Sequence, residues 1–290
     1  MPLANNGFIA IDKPEGISSF AVIKHLRKIT GLKKIGHSGT LDPFASGLVI
    51  CCLGQYTRLA AYPEKADKTY LAVMKLGTKT TTGDPEGEII QTAPIPDWEN
   101  KLANLEKQAL LLTELSVPAY SAVKINGIRA YALARKGISV ELPRKQIKII
   151  DFSFLCSEQN PADELCYRCQ VSKGTYIRAL SEWLAEQLNT LAYTKTLRRE
   201  RVGKITLQDA VKLDNLTSEN WFTYRLDYKQ VFPQWAYQNL EVTDFDKVMN
   251  GIDIAADSES NENVLLLYED NICAVGKRIN DLIHPFIVLK

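Results

Sequence analysis

The sequence predicts an α+β protein whose body is followed by a small β-rich domain. Strand-like runs follow one another as often as they alternate with helical ones, which argues against a parallel nucleotide-binding sheet. No Walker or dinucleotide fingerprint is present. From Trp235 onward the pattern changes to short apolar strands, VLLLY at Val264, ICAVG at Ile272 and PFIVL at Pro285, separated by polar turns. With 290 residues the chain can bury one large core and a smaller one.

Phe8 to Asp12 is a short apolar strand, and Ser18 or Ser19 caps a helix whose Phe20, Ile23, Leu26 and Ile29 share a face before Gly31. Leu48 to Leu53 and Thr69 to Leu76 are apolar strands. TTGDPEGEI from Thr81 has the Gly, Pro and Asp density of a hairpin turn, with its acids expected at the tip. Trp98, Leu102, Leu105, Ala109 and Leu112 keep helical spacing, and a further helix is expected to end before Gly137. Ile147 to Leu155 and Leu165 to Val171 read as paired strands. Lys173-Gly174 then turns into a helix carrying Leu180, Trp183, Leu184 and Leu188 on one face.

Composition narrows the classes. No apolar run approaches the roughly 20 residues that span a bilayer, and the start, MPLANNGFIAIDKP, lacks a basic stretch followed by a long hydrophobic one, so a cytoplasmic location and no membrane partner are expected. Six scattered cysteines do not form a disulfide framework. Cys166 and Cys169 form a Cys-x-x-Cys pair, but no second pair or suitably placed histidine completes a zinc site, and in a strand thiols three apart point to opposite faces. No metal is expected. The net charge of +1 hides an asymmetry: residues 214–290 hold 6 Lys+Arg against 13 Asp+Glu, leaving 29 against 21 in residues 1–213. Clusters at Lys33 and Lys34, at Arg144, Lys145 and Lys148, and at Lys195, Arg198, Arg199 and Arg201 could contact phosphates if they share a face; solvated surface charge is the alternative.

The chemistry-bearing feature is Ile35 to Gly47, IGHSGTLDPFASG, which sets one carboxylate, Asp42, among small residues. Gly36, Gly39 and Gly47 permit positive φ and close backbone approach, while Pro43 pushes Asp42 out of the helical region. By turn chemistry alone Asp-Pro beside glycines is a turn initiator. The full string, however, resembles the Gly-x-Leu-Asp-Pro-x-Ala-x-Gly signature of the TruB family of tRNA pseudouridine synthases, matched by Gly39, Leu41, Asp42, Pro43, Ala45 and Gly47. The resemblance extends from about Gly7 to Lys212.

It implies a pseudouridine synthase fold with a central, mostly antiparallel mixed sheet flanked by helices over residues 1–228, and a small PUA-like domain over 235–290. It also implies a chemistry without cofactor, since turning uridine into pseudouridine exchanges a carbon-nitrogen for a carbon-carbon glycosidic bond with no net redox change. One carboxylate suffices, whereas glycoside hydrolases normally use a pair. On the resemblance Asp42 is the nucleophile or base. Tyr70, in DKTYLA, matches the active-site tyrosine that stacks on the base, against an ordinary strand tyrosine. Arg178, in SKGTYIRAL, matches the arginine that pairs with the carboxylate, where a bidentate fork would hold it ionised.

Tyr176 and Leu197 are carried over as pocket wall, with plain core as the alternative. Lys13, in IDKPEG, is expected near the site or bracing its own loop. His37 matches a histidine set against the RNA, although lone histidines are often structural. Tyr120, Ser121, Lys124, Gly127 and Tyr131 fall on the block Tyr-Ser-Ala-x-Lys-x-x-Gly-x-x-x-Tyr and are read as binding residues. The implied partner is the T arm of tRNA, with its uridine at position 55 extruded from the stack and no obligatory protein partner, the enzyme acting as a monomer. The rival class is a non-catalytic tRNA-binding or RNA-folding protein that keeps the loop.

Overall fold

Four long strands build the sheet beneath the Asp42 loop. In the computed structural model, which describes residues 5–138, 140–155, 161–257 and 263–290, the chain divides into two units. One comprises Asp42–Gly47 and Lys65–Val202; the other comprises the chain up to Leu41, Leu48–Glu64 and Gly203–Lys290.

In the first unit the strands Ile149–Phe154, Glu164–Val171, Lys68–Leu76 and Ala192–Val202 lie in that order, each antiparallel to the next. Ser46 and Gly47 run parallel beside Arg198 and Arg199, which makes the sheet mixed. Along Lys68–Leu76 the residues Tyr70, Ala72, Met74 and Leu76 are buried and the intervening ones less so, the period of two that a sheet with one covered face demands. The cover is the helix Ile177–Gln187, which buries Ile177, Leu180 and Leu184. Its Ser181 hydroxyl lies 2.7 Å from the Tyr167 hydroxyl and accepts from Thr194 Oγ1 at 2.8 Å, so these buried hydroxyls are satisfied by one another. The helix Leu102–Leu111 packs on Ile149–Phe154 through Leu102, Leu105 and Ala109. It begins later than the spacing predicts, because Trp98 only precedes a short 3-10 turn.

The strand Ala192–Val202 is not among the sequence expectations. Its TKTLRRERV reads as a charged surface segment, yet Leu197, Arg199 and Val202 are buried in it. Cys169 is buried in Glu164–Val171 and Cys166 only partly so, in keeping with opposite faces, and neither forms a disulfide among the described residues.

The second unit centres on Gly7–Lys13, flanked by Ser46–Leu53 on one side and by Val211–Lys212, parallel, on the other. Ile35–Ser38 pairs antiparallel with the end of Ser46–Leu53. The helix Ser19–Thr30 starts where Ser18 accepts from the Ala21 N–H at 3.1 Å and stops at Gly31, whose φ of 71° is the left-handed cap. It buries Val22, Ile23 and Leu26, but Phe20 is 54% exposed, with the Lys24 ammonium 5.4 Å from its ring centroid. The C-terminal strands Ala236–Asn239, Asn263–Tyr268, Asn271–Ile279, Leu282–Val288 and Ile254–Ala255 form a five-stranded sheet in that order. Val264, Leu266, Cys273, Ala274 and Ile283 make its core with Val248, which comes from a helix, Val242–Met249, too short and polar to be expected from sequence.

Two of the three loop glycines behave as read. Gly39 and Gly47 have φ of 82° and 105°, whereas Gly36 lies in the Ile35–Ser38 strand without a positive φ. At Gly47 a Cβ would sit 2.3 Å from the Arg199 carbonyl oxygen and 2.8 Å from its nitrogen. Backbone cannot swing away as a side-chain tip can, so the position combines a disfavoured φ with a clash. Gly47→Ala is expected to cost at least about 2 kcal/mol in urea denaturation; an unchanged midpoint would show that the parallel pairing tolerates a side chain.

The buried thiols set an alkaline limit. Burial pushes Cys52 up to about 12 and holds Cys51 and Cys169 well above their ordinary value. These groups stay protonated in the fold while the unfolded chain loses its thiol protons near pH 9, so their contribution is fully present below that pH and is lost as pH rises through the folded values. The denaturation midpoint should fall between pH 8 and pH 10.5 under reducing conditions, and a flat profile would contradict the burial.

Candidate active site

The loop that offers Asp42 is held from both ends. Ser19, buried, donates its hydroxyl to the Leu41 carbonyl and accepts from the Leu41 N–H, both at 2.9 Å, fixing the residue before the acid. After it, the Ala45 N–H donates to the Asp42 carbonyl at 3.2 Å and Gly47 enters the sheet. The carboxylate itself is 35% exposed on its side chain, open on one side and held on the other.

The holding group is Arg178, the second residue of Ile177–Gln187, whose side chain is 5% exposed. Its Nε lies 3.1 Å from Asp42 Oδ2. Nη1 donates to the Thr82 carbonyl at 2.6 Å and lies 3.5 Å from Asp84 Oδ2; Nη2 donates to the Tyr120 carbonyl at 2.9 Å. The expected bidentate fork on Asp42 is therefore not formed. The guanidinium divides its donors among four groups, because Asp84 and two carbonyls claim its far edge.

Asp84 is the residue beside Arg178 that sequence reasoning missed. Far from standing at a turn tip, it is 4% exposed, accepts from the Glu86 N–H at 3.1 Å and from the Thr82 hydroxyl, and faces Arg178. A signal was present: the chain has two Asp-Pro dipeptides, Asp42-Pro43 and Asp84-Pro85, and both acids meet on one arginine.

Tyr70 stands in the sheet between Cys169 and Arg199, its neighbours across the two adjoining strands. It is 7% exposed. Burial pushes its phenol above the usual range; the charge and hydrogen bond of Arg199 oppose this, and the Asp42 carboxylate adds to it. The phenol is thus neutral at physiological pH and able to donate. Arg199, 1% exposed, belongs beneath this tyrosine and is not the phosphate contact its basic cluster implied. The neighbours in that cluster are also engaged: Lys195 with Glu164 at 2.6 Å, Arg201 with Thr69 Oγ1 at 3.0 Å, Arg198 with Ser46 Oγ at 3.4 Å.

Tyr176 precedes the Arg178 helix and is half-buried; burial raises its phenol, with Ser121 and Arg178 acting the other way. Leu197 is buried in the strand Ala192–Val202. Tyr120 reaches the site through its backbone carbonyl. Lys124 and Tyr131 sit on an exposed hairpin and the short helix after it, turned by Asn126 and Gly127 with φ of 49° and 84°. In the other unit, Lys13 is fully buried and spends its ammonium on the Pro14 and Ile17 carbonyls at 2.9 and 2.8 Å, bracing its loop. His37 is half-buried opposite Cys51. Among the described residues no cluster of three His, Cys, Asp or Glu side chains could hold a metal ion.

A carboxylate aimed by an arginine, with a neutral phenol in the same unit, is equipped to attack or deprotonate a ligand and to move a proton. The fold is shared with a chain of a Cbf5-Nop10-Gar1 complex, at a TM-score of 0.71 and 23% identity over 99% of this chain and 86% of that one. Residues 27–177 match the TruB family pseudouridylate synthase (N terminal domain). The tRNA pseudouridine synthase B of Mycoplasma mobile is 36% identical over 276 residues, 95% of this chain and 92% of that protein. Its counterpart in Aquifex aeolicus is 34% identical over 97% of this chain and 98% of the relative. The chain belongs to the TruB family.

The arginine's divided grip has a measurable consequence. Arg178→Ala strands Asp84 as a buried carboxylate, at an expected cost of about 3 to 5 kcal/mol. Arg178→Lys keeps the charge without the reach to four acceptors and should fall between. Asp84→Asn should lower the unfolding midpoint less than Arg178→Ala; equal stability for all three would remove the network from the fold's support.

Proposed function

We propose that this chain converts the T-loop uridine of tRNA, position 55, into pseudouridine as a stand-alone cytoplasmic enzyme, without an obligatory protein partner and as a monomer. Membership of the TruB family supports uridine isomerisation in tRNA, and the 3.1 Å contact between Arg178 Nε and Asp42 Oδ2 is the observation that carries the reading to particular residues. Among the described residues no helix is long and apolar enough to cross a membrane. On this reading residues 1–228 are the catalytic domain and 235–290 a PUA-like domain.

The bond between ribose C1′ and uracil N1 breaks, the ring turns, and C1′ bonds to C5; N1 gains a proton and C5 loses one. Atoms and electrons balance within the substrate, so the reading calls for no cofactor. Asp42 supplies the charge, either by adding to the uracil ring or by removing a ribose proton, and Arg178 aims it. Tyr70 stacks on the base and moves the proton, its neutral phenol suited to that task. Tyr176 and Leu197 wall the pocket, while Tyr120, Lys124, Tyr131, His37 and Lys13 hold the RNA. Extruding the stacked uridine costs a few kcal/mol, which aromatic stacking and phosphate contacts offset.

The test is incubation with unmodified tRNA followed by mapping of pseudouridine. Wild type should form product in the T loop and Asp42→Asn none, with the variant still binding tRNA. Equal product from both would remove Asp42 from the chemistry, and tRNA binding without product from either would favour a purely binding protein.

A further inference from the structure

The unit that joins the N-terminal strand to the C-terminal sheet contains a cavity of about 480 Å³, lined by Asn6, Tyr56, Arg225, Tyr228, Lys229 and Asp270 among others. That volume lies in the ~300–1,000 Å³ range of small-ligand sites. None of these residues belongs to the Asp42 site.

Three observations give the cavity a chemistry. Asn6 is 3% exposed, and the Gln55 N–H at 2.8 Å fixes its Oδ1, leaving the Nδ2 donor without an acceptor among the described residues. A buried donor left unfilled is costly, and a hydrogen-bond acceptor brought by a ligand would relieve it. Second, only six Lys or Arg residues occur in the acidic stretch 214–290, and two of them, Arg225 and Lys229, line this cavity. The acid between them, Asp227, is committed to capping the turn that follows, accepting from the Lys229 N–H at 2.8 Å.

Third, residues 221–237 hold seven of the chain's 25 aromatic side chains. Phe232 and Trp235 pack inward, with ring centroids 5.6 Å from Phe8 and 4.7 Å from Tyr62 respectively, and anchor the segment. Phe222, Tyr224 and Tyr237 instead remain 48%, 39% and 47% exposed. The Lys229 ammonium sits 4.8 Å from the Tyr237 ring centroid and 5.8 Å from that of Tyr228, and the Arg225 guanidinium 5.9 Å from that of Trp221. Exposed rings interleaved with cations are the composition on which bases stack while phosphates are neutralised.

We propose that this cavity seats one nucleotide of a single-stranded stretch of RNA, its base against Tyr228, its phosphate on Arg225 and Lys229, and a base or sugar acceptor on Asn6 Nδ2. The Asp270 carboxylate can accept from a ribose hydroxyl, which favours RNA over DNA. The proposal rests on the reading that the substrate is RNA, and it makes the acidic C-terminal region a contributor of one defined contact.

The probe is fluorescein-labelled tetra-adenylate, which contains no uridine for the Asp42 site, titrated into the full-length chain at several salt concentrations. Tyr228→Ala should weaken binding by about fivefold or more, while Tyr228→Phe, which keeps the ring, stays near wild type. Lys229→Ala, an exposed change that decides the matter if Tyr228→Ala fails to fold, should reduce the salt slope by about one. The deoxy tetramer should bind more weakly than the ribo form. No binding by wild type, or equal binding by wild type, Tyr228→Ala and Lys229→Ala, would overturn the proposal. Adenosine monophosphate binding as tightly as the tetramer would assign the cavity to a free nucleotide and overturn the RNA assignment. Pseudouridine formation by wild type is scored separately: product without tetramer binding leaves the enzymatic reading standing and removes only this site.

Discussion

Everything at the candidate site depends on one buried guanidinium placed between two carboxylates. A lone arginine in a dry interior would be prohibitively costly, and a lone aspartate beside it would pull the cation toward itself alone. Asp84 on the far edge, with the Thr82 and Tyr120 carbonyls, satisfies the donors that face inward and leaves Nε to meet Asp42. The buried acid thus provides the counter-charge that keeps Arg178 in place. The half-exposed acid stays available to a ligand. Two aspartates with the same partner take different roles because one is 5% exposed and the other 35%.

The sheet supplies the second constraint. Tyr70 and Arg199 are register partners in neighbouring strands, and Gly47 lies against Arg199 on the other side. A slip of one residue in any of these strands would turn the phenol to the opposite face. The irregularity between Arg199 and Arg201 is where Ala192–Val202 adjusts its twist while keeping that pairing. Positioning therefore comes from backbone hydrogen bonds, which are stiffer than side-chain contacts.

Much of this was legible in the sequence. The strands around Thr69 and Leu165, the capped helix after Ser18 and the Asp42 turn follow from periodicity and from residues with restricted φ. The failures share one cause: sequence patterns price charge as solvated. Arg199 and the strand that carries it look like surface because RRER is polar, and Asp84 looks like a turn tip because Asp-Pro-Glu-Gly usually is one. Asp84 is buried because the Arg178 charge, far along the chain, compensates it, and Arg199 is buried where its guanidinium meets the Tyr70 phenol; no local window contains either partner. Phe20 fails in the opposite direction. Its apolar ring fits the helix stripe by spacing, yet it lies at the margin of the face that Val22, Ile23 and Leu26 bury.

The strand Gly7–Lys13 has one neighbour that arrives early, Ser46–Leu53, and another, Val211–Lys212, that arrives some two hundred residues later, with the Leu226 N–H also returning to the Phe8 carbonyl. At a synthesis rate of about 5–20 residues per second, the far edge of this largely buried strand waits roughly 10–40 s on the ribosome before its last partner emerges. Closing so long a loop is entropically late as well as temporally late. A nascent chain of this protein accordingly presents a sticky, unfinished edge for most of its translation, and its yield in the cell should depend on the chaperones that meet it there.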